Sequence, residues 1–194
     1  MKRIAVFCGA SIGKNTIYSE QAKALGLFMA NENIDLVYGG GKIGLMGVLA
    51  DTVMQNGGEV IGVIPEHLRH EEVEHTEVTE MRITKTMAAR KIVISQLADA
   101  YIALAGGFGT LDELFEALTL GQLAIENKPV ALLNTNGFYD NALKQLDVMV
   151  QEGFLKQTNR DMLLVADTVE ALFSLMKKYK APPLGKVINT VASS

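Results

Sequence analysis

The stretch Ala100-Tyr101-Ile102-Ala103-Leu104-Ala105-Gly106-Gly107-Phe108-Gly109-Thr110-Leu111-Asp112-Glu113 leaves an unbroken apolar run, crosses a glycine-rich turn and enters a helical pattern. Residues 100–104 read as a buried strand, and Leu111, Leu114, Phe115 and Leu118 recur at helical spacing. A strand that turns through glycines into a helix gathers backbone N–H groups at a helix N-terminus, which suits an anion. A nucleotide or sugar phosphate is the natural ligand. The same residues also allow a reading without ligand, in which Thr110 is the N-cap and Glu113 closes a capping box, worth about 1 kcal/mol. Capping alone does not call for Gly106, Gly107 and Gly109 together, since one glycine makes a turn and each further one adds unfolded-state entropy. A carboxylate in the first helical turn would also repel a phosphate, so Glu113 is expected to point away from it.

Working outward, apolar strand-like runs at 4–7, 35–38, 60–64, 101–104 and 130–133 alternate with helical stretches at 18–30, 45–55, 86–97, 111–126, 138–152 and 169–178. This alternation predicts an α/β fold, a Rossmann-like doubly wound parallel sheet with right-handed crossovers, in a single domain over residues 1–180. Ligands of such sheets sit beyond the carboxyl ends of the strands. Three glycine-bearing turns follow strands directly: Cys8 to Gly13, Tyr38 to Gly44, and Ala105 to Thr110. They are expected to line one cleft. Residues 65–75 carry all three histidines, His67, His70 and His75, among charged neighbours, and read as a surface loop with room for a short helix. His67 and His70 could ligate a metal if helical, but no cysteine accompanies them and no metal is expected. Residues 181–194 leave the helical pattern at Pro182 and Pro183 and read as a tail or an arm.

The composition narrows the classes. A net charge of −4 exerts no general pull on nucleic acid or an anionic membrane, so any anion site must be local. Cys8 is the only cysteine, which rules out an internal disulfide and fits a reducing cytoplasm. No run approaches the ~20 apolar residues that span a bilayer. Neither Gly39-Gly40-Gly41-Lys42-Ile43-Gly44 nor the first turn matches a P-loop or a dinucleotide fingerprint. Arg90 and Lys91, which precede Ile92, Ile94 and Leu97, taken alone read as a solvated cation pair.

Met87-x-x-Arg90-Lys91 followed by Gly106-Gly107-x-Gly109-Thr110-x-x-Glu113 closely resembles the paired signature of the LOG (Lonely guy) family. These are cytokinin riboside 5′-monophosphate phosphoribohydrolases, often labelled lysine decarboxylases. The likeness extends over most of the chain, through Cys8-Gly9-Ala10-Ser11, the Tyr38 to Met46 turn, Val63-Ile64-Pro65 and Lys128-Pro129-Val130. It departs at Ala88 and Ala105, where the family usually has histidine and proline. Neither change removes a group the chemistry needs, although losing the proline loosens the turn.

The resemblance implies a homodimer that hydrolyses purine or cytokinin nucleoside 5′-monophosphates, such as AMP, with active sites near the subunit interface; the lone cysteine makes it cytoplasmic by expectation, and the chemistry needs no cofactor. Breaking the N-glycosidic bond builds positive charge on the ribosyl group and negative charge on the departing base. By the resemblance, Glu113 and Arg90 are catalytic: Glu113 stabilises the ribosyl cation, holds ribose hydroxyls or directs water, and Arg90 orients the nucleotide and stabilises the base. Gly107, Gly109 and Thr110 would hold the 5′-phosphate, with Gly106, Lys91 and Met87 completing the substrate-binding set. Met87 at this spacing is equally suited to filling the core. A decarboxylase would need pyridoxal phosphate on a lysine, and nothing around Lys42 or Lys91 selects that role. A non-catalytic nucleotide-binding module of the same fold is the alternative.

Overall fold

The structure is a computed structural model that describes residues 1–70 and 74–181. The tail expected at 181–194 therefore lies, past its first residue, outside the described residues. Seven strands run β1 (Arg3–Phe7), β2 (Asp35–Tyr38), β3 (Val60–Pro65), β4 (Glu80–Thr84), β5 (Ala100–Ala103), β6 (Val130–Leu133) and β7 (Leu163–Ala166). They form one sheet in the order β4-β3-β2-β1-β5-β6-β7, with every neighbouring pair parallel. The helices are α1 (Ile17–Asn31), α2 (Gly44–Gln55), α3 (Met87–Leu97), α4 (Phe108–Gln122), α5 (Asp140–Gln151), the single turn α6 (Gln157–Arg160) and α7 (Val169–Lys178).

Strand residues alternate between two apolar layers, as the pleat requires. Ile4, Val6, Leu36, Tyr38 and Ile102 join Leu25 and Met29 of α1, Leu49 of α2 and Phe173 of α7 on one face. Ala5, Phe7, Val37, Val63 and Tyr101 join Ile94 of α3, Leu114 of α4 and Leu146 of α5 on the other. The doubly wound sheet is thus the one expected. From β1 the chain builds outward to β4, crosses back by α3 and continues with β5 on the opposite side of β1. The strand order reverses between β1 and β5, and crevices for ligands open at such switch points. Here Gly9 N–H donates to the Ala105 carbonyl at 3.0 Å, closing the two turns on each other.

Two strands were not expected. Glu80–Thr84 and Leu163–Ala166 are the sheet edges, each with one partner strand and mostly half-buried or exposed residues. Helix α4 also begins at Phe108 and ends at Gln122, earlier at both ends than 111–126. Residues 66–68 do form one short 3-10 turn, with His67 and His70 exposed. His75, expected on the surface, is instead completely buried.

Candidate active site

The N-cap of α4 is Gly107, and its side-chain-free position makes no capping bond. The capping box read into Thr110 and Glu113 is therefore absent. Thr110 lies inside the first turn, buried, and its hydroxyl packs on Gly106, where an added Cβ would meet Oγ1 at 2.0 Å and Gly9 N at 3.0 Å. Gly106 is fixed by this close packing. Gly107 and Gly109 are different: a Cβ built on either meets no atom within 4 Å, and neither has a positive φ. The fold itself gives no reason for glycine at these two positions. Bare glycines there leave the backbone N–H groups of a helix start open to approach.

Glu113 points to Arg90. Arg90 stands one turn into α3, whose first turn is capped by Thr86 accepting from Ala89 N–H at 3.1 Å. Its Nε donates to the Val63 carbonyl in the second half of β3 and its Nη1 to Glu113 Oε1, both at 2.9 Å. The two side chains are 8% and 12% exposed, so the pair is withdrawn from water, where removing one partner strands the other's charge at a cost of about 3–5 kcal/mol. The Nη2 edge faces Gly39, where an added Cβ would come within 2.5 Å of it. The solvated-cation reading of Arg90 thus fails: α3 directs it toward the carboxyl ends of the inner strands, where a carbonyl and a carboxylate satisfy it.

A cleft of about 270 Å³ is lined by Cys8, Gly9 and Ala10 from the first turn, Gly39 from the second, and Gly107, Gly109 and Thr110 from the third, with Met87, Arg90 and Glu113. The three glycine turns do converge. Burial, and secondarily the Glu113 charge, push the Cys8 thiol pKa up, which disfavours a thiolate nucleophile there. Lys91 does not reach this cleft. It lies 2.8 Å from Asp112 Oδ2 and 2.6 Å from Glu116 Oε2, and borders a neighbouring apolar cavity of about 280 Å³ with Ile92, Leu120 and Ile125. Glu113 borders both cavities. Gly106 is not part of the cleft lining; it lines an adjoining cavity together with Gly9, Ala10 and Gly107, which border both. The contributions of Gly39, Cys8 and the Val63 carbonyl to the site were legible only as glycine turns and strand ends, not as individual contacts.

The family model described as "Possible lysine decarboxylase" matches residues 46–176, which include Met87 to Lys91 and Gly106 to Glu113. The cytokinin riboside 5′-monophosphate phosphoribohydrolase LOG3 of Arabidopsis thaliana is 44% identical over 178 residues, covering 92% of this chain and 83% of that protein. The chain belongs to the LOG family. The cytokinin riboside 5′-monophosphate phosphoribohydrolase LOG of Oryza sativa subsp. japonica is also 44% identical, over 92% of this chain and 74% of its own length. Among solved structures, the molybdenum cofactor binding protein of Rippkaea orientalis superposes with a TM-score of 0.69 at 24% identity, over 92% of this chain and 97% of that one. At that identity the likeness is one of fold. Of the two departures from the usual LOG pattern, Ala88 is exposed on α3 and does not line the cleft. Ala105 keeps the turn pinned through its carbonyl bond to Gly9 N–H despite the missing proline ring.

Proposed function

We propose that this LOG-family chain hydrolyses the N-glycosidic bond of purine nucleoside 5′-monophosphates, releasing free base and ribose 5-phosphate, with Arg90 and Glu113 as its catalytic residues. The observation that carries this reading is the pair of open glycines, Gly107 and Gly109, at the start of α4 in the same cleft as the Arg90–Glu113 ion pair. Backbone N–H groups there and the Thr110 hydroxyl hold the 5′-phosphate, aided by the helix dipole. The phosphate is a remote handle whose binding energy sets C1′ against Glu113. As the bond to the base breaks, the carboxylate faces the developing ribosyl cation and orders the attacking water. The guanidinium, fixed by Val63, meets the charge that moves onto the base. Met87 lines the cleft and packs beside the nucleotide.

The apolar cavity on the far side of Glu113, with Ile92, Leu120 and Ile125, gives room for an apolar substituent on the base, in keeping with a cytokinin nucleotide as well as AMP. Ile92 and Ile125 are 57% and 66% exposed at its rim, an apolar surface suited to a second copy in a homodimer. A cytoplasmic setting agrees with a lone cysteine, and no described helix is long and apolar enough to cross a membrane. Decarboxylation through Lys91 finds no support. Burial works to lower its pKa, yet the ion pairs with Asp112 and Glu116 prevail and raise it, the reverse of what a Schiff-base lysine needs. Incubation with AMP and with N6-isopentenyl-AMP, followed by product identification, tests the reading. Ribose 5-phosphate and free base are expected; a protein that binds both nucleotides and releases neither product is a binding module.

A further inference from the structure

The Gly39–Gly41 turn that walls the Arg90 guanidinium consists of three successive glycines, the backbone with the most freedom to move. Gly40 takes a φ of +83°, and the turn carries no side chain of its own, with Ile64 and Met81 packed close against Gly40. Beyond this packing, hydrogen-bonded restraint comes from the far end of the β3–β4 connection. His75 N–H donates to the Gly40 carbonyl at 2.9 Å, Glu74 bridges Gly41 in antiparallel fashion, and Glu77 Oε2 lies 3.3 Å from Lys42 Nζ. The segment is in turn anchored to α2, the helix that follows the turn, by His75 Nε2 at 2.9 Å from Asp51 Oδ1.

The His75 imidazole is 0% exposed and its tautomer follows from its neighbours. Glu77 N–H approaches Nδ1 at 3.4 Å and can only donate, so Nδ1 is the acceptor and Nε2 carries the proton that Asp51 receives. Asp51, His75 and Glu77 offer atoms within 4.8 Å of one another that could hold a metal ion. A metal on Nε2 would push the proton to Nδ1, against the Glu77 N–H, and would displace the Asp51 bond, so the hydrogen bonds seen are those of a strap and not of an Nε2-bound metal.

We propose that His75 is a positioning residue: tied to Asp51 and to Gly40, it holds the triple-glycine turn so that Gly39 backs the Nη2 edge of Arg90 and Nη1 stays aimed at Glu113. This rests on the reading of Arg90 and Glu113 as the catalytic pair. The strap acts on kcat, because it orients a charged group in the transition state without touching the phosphate end of the cleft.

Asp51→Ala is the variant of choice, since the Asp51 side chain is 44% exposed and its loss opens no core cavity, whereas His75→Ala risks misfolding. With AMP as substrate, Asp51→Ala is expected to lower kcat by about five- to tenfold with KM changed less than about twofold. Asp51→Asn, whose amide oxygen still accepts from Nε2–H, should restore most of kcat. In an Arg90→Lys background the Asp51→Ala effect should vanish, because the group being positioned is already altered. An unchanged kcat in Asp51→Ala, no rescue by asparagine, or the same fold-loss in both backgrounds would overturn the strap. So would calorimetric titration with Zn²⁺ or Mn²⁺ showing one-to-one binding that Asp51→Ala abolishes. Full activity of Arg90→Lys by itself would instead overturn the catalytic pair, a separate outcome.

Discussion

Replacing Gly109 by alanine should make the protein more stable and less active at once. Gly109 is the second residue of α4, its φ is not positive, and a methyl group there meets no protein atom within 4 Å. Alanine in a helix is favoured over glycine by roughly 0.5–1 kcal/mol, and in a first turn about 0.5 kcal/mol is reasonable. For a domain of this size that raises Tm by about 1–2 °C. The same methyl occupies the space through which the phosphate reaches the helix N-terminus. Losing one charge-assisted hydrogen bond of about 1.5–3 kcal/mol lowers kcat/KM for AMP by roughly 10- to 100-fold. Scanning fluorimetry and a coupled assay for ribose 5-phosphate read both quantities from one preparation. Gly106→Ala is the contrast: its Cβ would strike Thr110 Oγ1, so overpacking of about 1–3 kcal/mol should lower Tm. A Gly109→Ala protein with wild-type kcat/KM for AMP would refute the reasoning, because the bare backbone would then serve no ligand.

Other expectations follow from the same geometry. If the phosphate is the handle, adenosine should be cleaved with a kcat/KM at least about 100-fold below that of AMP, and near-equal values would remove the role of Gly107, Gly109 and Thr110. Size-exclusion chromatography with light scattering should show about twice the 21.0 kDa chain mass, and Ile125→Glu should shift it toward the monomer. A wild-type monomer at assay concentration would remove the apolar rim of Ile92 and Ile125 as an interface.

The inner strands were legible because a parallel strand buried on both faces must be a continuous apolar run, as Ala100–Ala103 and Val130–Leu133 are. The edge strand Glu80–Thr84 has one partner and keeps Glu80 and Arg82 toward water, so its pattern blends with loop sequence. At the site, the glycine turns marked where an anion is expected but not which glycines are held by protein contacts and which are open. Gly106 is held by Thr110 packing and Gly107 and Gly109 by nothing in the protein, a distinction that needs coordinates. Thr110 and Glu113 have the spacing of a capping box, and that local pattern misled. The actual partner of Glu113 is Arg90, 23 residues away in sequence, and no periodicity reports such a contact. The family resemblance did place Arg90 and Glu113 together, whereas Lys91, its neighbour in the motif, pairs with Asp112 and Glu116 outside the cleft and Gly106 lines an adjoining cavity. His75 looked like part of a charged surface loop because its burial depends on Gly40 and Asp51, both more than twenty residues earlier in the chain.

The most direct test of the catalytic pair is single-turnover hydrolysis of AMP by Glu113→Gln. Glutamine preserves size and can still accept from Arg90 Nη1, so the fold and AMP binding should persist while the negative charge opposite the ribosyl cation is lost. The expected result is a Tm lower by several degrees, because Arg90 keeps a hydrogen bond but loses its buried counter-charge, with the protein still folded at assay temperature, AMP affinity within a few-fold, and a rate lower by on the order of 100-fold or more. A Glu113→Gln protein that binds AMP and hydrolyses it at most of the wild-type rate would contradict the assignment of Glu113 as the group that stabilises the transition state.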